Sequence, residues 1–164
     1  MKAEWDTPQW RVKRDELLAT WLLGDFHAVE CAVLLSEIAE TWDDLIDQDV
    51  TVTADKINRA FIAMLVRLEL NPFFEQHRLT IMPVVYVSIN AWLDANTQES
   101  GVREERMAAF YLRNFSYEII NVIALCVGGW DHLRSISMDM RRFFTHESYF
   151  TWEHRHASDL PAAA

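Results

Sequence analysis

Four glycines and four prolines are the only residues of their kind in 164, and they cut the chain into helix-length pieces joined by short turns. The economical fold is therefore all-α. Thr7-Pro8 sets a capping residue before a proline suited to the first helical position, and Thr53-Ala-Asp55 offers a cap followed by an early acid. Asn71-Pro72 ends one helix, and Gly128-Gly129 stops another. These signals predict helices over 8–23, 25–48, 53–70, 72–96 with a break or kink near Pro83, 102–127 and 131–144. The β-branched run Val84-Val85-Tyr86-Val87 has no partner strand elsewhere and is kept helical. The expectation is a single-domain bundle of about six helices over residues 1–164, with 102–127 as its central apolar helix. Residues 145–164 form an aromatic, histidine-rich tail that packs back on the bundle or docks on a partner.

Composition narrows the function classes. Hydrophobic residues make up 51% of the chain and aromatics 12%, which excludes a disordered tail. A formal charge of −10 argues against nucleic acid, whose phosphates need lysine and arginine to displace counterions. Cys31 and Cys126 lie in apolar helical patterns without metal-ligand spacing and read as reduced core thiols. No basic start with an apolar run marks a signal peptide, and no stretch reaches the roughly 18 apolar residues that span a bilayer. The expected setting is the cytoplasm, with no membrane partner.

Charge is distributed very unevenly. From Asp15 to Asp55 there are eleven carboxylates and no lysine or arginine, most densely in the stretch from Glu37 to Asp49. Like charges one helical turn apart destabilise a helix, so this segment needs a metal ion, cations donated from elsewhere, or solvent to relieve it. At 100° per residue, Glu30, Glu37, Glu40, Asp44 and Asp47 fall in one arc, while Leu34, Leu35, Ile38, Trp42, Leu45 and Ile46 occupy the other side. A solvated acidic face fits this pattern. So does an oxygen-only site for Mg²⁺ or Mn²⁺ with Glu40, Asp44 and Asp47 as ligands. In the second case Glu37 or Glu118 is the candidate catalytic group, orienting a water whose pKa the metal lowers.

A second polar stripe lies in the 102–127 segment. On an uninterrupted helix Asn114, Glu118 and Asn121 share one narrow arc of an otherwise apolar surface, and a buried Glu118 requires a partner. It either makes a structural ion pair or faces the acidic helix across a metal-filled cleft. In the latter arrangement Asn114, Asn121 and Arg113 contact substrate, with Arg103 and Arg106 also able to hold phosphate oxygens. Asn90 and Asp94 read as an exposed i,i+4 pair, and the His154-x-His156 pair is a sparse metal signal.

Three resemblances rest on quoted motifs. Trp42-Asp43-Asp44-Leu45-Ile46-Asp47 resembles the DDxxD motif of class I isoprenoid synthases, which implies magnesium and a prenyl diphosphate. Glu37-x-x-Glu40 is similar to the ExxE half of all-α NTP pyrophosphohydrolases, which implies Mg²⁺ and cleavage of a nucleotide to a monophosphate and diphosphate. The segments Trp42–Asp47, Ile57–Phe61 and Asn71-Pro-Phe resemble uncharacterised phage-borne helical proteins, which implies no activity. Two functions follow. One is metal-dependent binding or hydrolysis of a diphosphate-bearing small molecule. The other is a non-enzymatic phage accessory or assembly protein that binds a protein partner through its acidic face or aromatic tail, with a homo-oligomer among its open assembly states.

Overall fold

The computed structural model describes residues 7–48, 50–145 and 147–156, without the side chains of Arg155 and His156. Asp49 of the acidic run, the N-terminal segment tested for a signal peptide and the tail past residue 156 lie outside the described residues. Every regular element among the described residues is helical, so the fold is all-α, and no helix among them is long and apolar enough to cross a membrane. The helices gather into two compact units. One runs up to residue 79 and includes 123–129, and the other takes 80–122 and the chain from 130 onward.

In the first unit, α1 (Pro8–Trp21), α2 (Phe26–Asp47) and α3 (Ala54–Ile62) each begin where a side chain accepts a backbone N–H that the helix cannot satisfy itself. Thr7 accepts from Trp10, Asp25 from Ala28 and Thr53 from Lys56. Between α1 and α2 the chain reverses through left-handed Leu23 and Gly24, the latter at φ 73°, a region that glycine enters without steric cost. Both α1 and α3 pack on α2. Lys56 near the start of α3 meets Glu40 and Asp44, whereas Arg67 beyond its end meets Glu30, so α3 runs antiparallel to α2.

α3 continues into a π turn, Ala63–Arg67, in which the Leu68 N–H donates to the Ala63 carbonyl at 2.8 Å. Ala63 and Leu68 are both buried although five positions separate them. An α-helix would rotate Leu68 well away from Ala63, and the wider turn brings one beneath the other. Buried Asn71 follows. Its Oδ1 accepts the Phe74 N–H, and its Nδ2 donates to the His27 carbonyl and to Glu30. A single amide thus caps the next helix and ties it to α2.

That helix, α4 (Pro72–Gln98), carries Pro83 inside it without a break, where the sequence predicts a break or a kink. Pro83 is exposed, so the carbonyl that loses its helical partner to the ring is on the solvent side, where water satisfies it. In the second unit the predicted 102–127 helix is instead α5 (Arg103–Arg113), a 3₁₀ turn (Asn114–Tyr117) and the start of α6 (Glu118–Phe144). Asn114 donates its side-chain amide to the Phe110 carbonyl at 2.7 Å, competing locally with the helical ladder. α6 is two helical stretches joined at a kink, because Gly129 leaves the helical region (φ 74°, ψ −172°) where the sequence places a helix stop. The expected tail contains α7 (Tyr149–His156), and its Tyr149 and Trp152 are buried with Phe110 of α5.

Candidate functional site

The acidic helix is relieved by cations from neighbouring helices. Lys56 Nζ lies 2.9 Å from Glu40 Oε1 and 2.5 Å from Asp44 Oδ2, and Arg11 of α1 reaches the same Glu40 oxygen at 2.9 Å. Arg67 donates to Glu30 at 3.0 Å. The Glu40 and Asp44 side chains are only 27% and 18% exposed, so this part of the acidic arc is turned toward protein rather than solvent. Burial works to lower the Lys56 pKa, but the hydrogen bonds it donates to Asp44 and Glu40 outweigh it and hold the ammonium above its ordinary value.

The apolar side of α2 follows the opposite course. It is buried at Leu34, half-buried at Leu35 and Ile38, and exposed at Trp42, Leu45 and Ile46. The amphipathic pattern is real, but toward the end of the helix its apolar edge faces out.

Of the predicted metal ligands, Glu40 and Asp44 are adjacent through Lys56, and Asp47 is exposed on the last turn of α2. Glu37 is half-buried one turn before Glu40. Among the described residues no three histidine, cysteine, aspartate or glutamate side chains come close enough to share a metal ion. The carboxylates suit Mg²⁺ or Mn²⁺ in kind, yet a cation could use Glu40 and Asp44 only by displacing the Lys56 ammonium.

In the second unit Arg141 grips Glu118 with Nε and Nη2 at 3.0 and 2.8 Å from Oε1, and Nη2 is also 2.9 Å from Oε2. Asn121 adds its Nδ2 at 3.1 Å. Such a fork-shaped pair satisfies a carboxylate and fixes its orientation. The predicted common arc of Asn114, Glu118 and Asn121 does not form, because the 3₁₀ turn advances the chain by three residues per turn rather than 3.6. Asn114 bonds Phe110, and Arg113 pairs with Glu99. Arg103 and Arg106 both meet Glu153, whose carboxylate also accepts the Tyr149 hydroxyl at 2.7 Å. That hydroxyl, together with the two guanidinium groups, holds Glu153 below its usual carboxylate pKa against the effect of burial. Asn90 and Asp94 form the predicted exposed pair at 3.0 Å.

Sequence reasoning missed Lys56 and Arg11 as the neutralising groups. The signal was available in Lys56, Ala60, Ala63 and Arg67, which recur every three or four residues and combine two cations with two side chains small enough for close helix approach.

Both cysteines are free thiols, Cys31 buried and Cys126 half-buried. Burial, then the nearby Cys126 and Glu30, push the Cys31 pKa up to about 12, so at neutral pH it is not a thiolate nucleophile. A thiol reagent such as DTNB is expected to label Cys31 only after denaturation. Rapid labelling of both thiols in the native chain would contradict its burial.

No family model matches this chain, and neither does any curated protein or solved structure. The three resemblances rest on their motifs alone.

Proposed function

We propose that this chain is a non-catalytic protein-binding module that presents apolar helical faces to a partner protein. The observation that carries this reading is the set of exposed large apolar side chains in the first unit. Trp42, Leu45 and Ile46 stand on α2, with Phe61, Ile62, Leu65 and Val66 on α3 and its π turn. Phe61, Ile62, Leu65 and Val66 fall within six residues of one another, and neighbouring exposed apolar side chains of this kind mark interaction surfaces, whereas single ones need no explanation. Aromatic side chains such as Phe61 are the usual anchors of protein interfaces. Glu40, Asp44 and Glu118 of the rival diphosphate site already have cationic partners, which favours the binding module over metal-dependent hydrolysis.

A photo-crosslinking amino acid at Phe61 is expected to yield a discrete protein adduct in native cells, and Leu65→Asp should reduce its yield several-fold. Failure to form any discrete adduct would remove the proposal. A rise in Tm with millimolar Mg²⁺ and diphosphate that disappears in Asp44→Asn would establish the hydrolytic reading instead, because a ligand selective for the native state must stabilise it.

A further inference from the structure

The longest uncharged stretch of this acidic chain is fifteen residues of α4, from Leu79 to Leu93. In the second unit the helix has one buried edge, formed by Ile81, Ser88, Ala91 and Ala95. Its other side exposes Met82, Pro83, Tyr86, Val87, Asn90 and Leu93, with Tyr86 77% accessible. We infer that this face is a self-association surface on which α4 of a second copy lies antiparallel.

Spacing, charge and area select the second copy. Met82, Tyr86, half-buried Ile89 and Leu93 recur at intervals of four, three and four, the a/d alternation of a helix-pairing seam. That interval pattern is the same read from either end. A two-fold axis between Val87 and Ser88 therefore sets Met82 against the partner copy's Leu93, and Tyr86 against its Ile89, so one patch is complementary to itself.

The seam carries no charge by which a charged partner could be recognised. It also offers a chain of net charge −10 a surface where two copies can meet without opposing carboxylates. Orientation follows from Asp94, just beyond the seam. Parallel pairing would set the two Asp94 carboxylates side by side, while antiparallel pairing separates them by thirteen residues of helix, about 20 Å and well beyond the screening length. The exposed side chains present on the order of 500 Å² per copy, about 1,000 Å² in total, which is the lower bound for a specific interface. The corresponding dimer is in concentration-dependent exchange with monomer.

Sedimentation equilibrium of the full chain tests this. The apparent mass is expected to start at the 19.2 kDa monomer and approach twice that value as concentration rises through the micromolar range. Tyr86→Lys with Leu93→Lys should hold it at the monomer mass while leaving the far-UV circular dichroism unchanged. Should that variant lose helicity, Met82→Ala with Tyr86→Ala serves the same purpose with a strong helix former. A wild-type chain that stays monomeric throughout, or a folded variant that still dimerises, overturns the inference. Crosslinking from Phe61 reads a different helix, so either proposal can fail without the other.

Discussion

Asn71→Ala is expected to lower the stability of the chain by about 2–4 kcal/mol, the sum of a lost helix cap and of buried groups left without partners. Asn71 is almost inaccessible, and one amide serves three places: the Phe74 N–H, the His27 carbonyl and the Glu30 carboxylate. Alanine leaves the Phe74 N–H buried without this partner, takes the donor from the part-buried His27 carbonyl and Glu30 carboxylate, and opens a small void. A thermal melt should show a fall in Tm of roughly 10 °C for a chain of this length. Asn71→Asp separates the contributions. It keeps the acceptor for Phe74 but removes the donor and sets a second carboxylate against Glu30, so at neutral pH it should cost at least as much as alanine. A neutral aspartate variant would show that the link to α2 contributes nothing.

Lys56→Met is expected to cost about 1–3 kcal/mol, between the value of an exposed ion pair and that of a buried one broken on one side. The loss leaves Glu40, which Arg11 also reaches, and Asp44 one turn apart on α2 without the ammonium between them. Replacing Asp44 as well should recover much of the cost, since the repulsion then has no second member. The pH dependence has a definite sign. Because the folded chain holds the Lys56 pKa above the ordinary 10.5, its contribution is fully present below 10.5 and is lost as pH rises through the raised value. The difference in Tm between wild type and Lys56→Met should therefore be flat at neutral pH and shrink in strong alkali. A difference that grew there would contradict the ion-pair geometry.

Helix ends were legible in the sequence because capping is local: Thr7, Asp25 and Thr53 each act on a backbone N–H three residues ahead. The 3₁₀ turn at Asn114–Tyr117 was not, because nothing in the apolar periodicity of that segment reveals that the Asn114 side chain will engage the Phe110 carbonyl. Residue choice on α2 likewise identified an acidic and an apolar side without deciding which would face inward. That decision depends on Arg11, Lys56 and Arg67, which come from other segments and whose positions are a tertiary property. An apolar surround requires a partner for Glu118, and Arg141, 23 residues downstream, supplies it.

The wide turn at Ala63–Arg67 acts as a length adjuster. It accommodates one residue more than an α-helix would in the same angular sweep, so Lys56 near the start of α3 and Arg67 at the end of the turn keep their phase against α2 while Leu65 and Val66 bulge outward. Shortening this segment by a single residue would draw the bulge in without unfastening either ion pair, so the prominence of that apolar rim can vary independently of the scaffold beneath it.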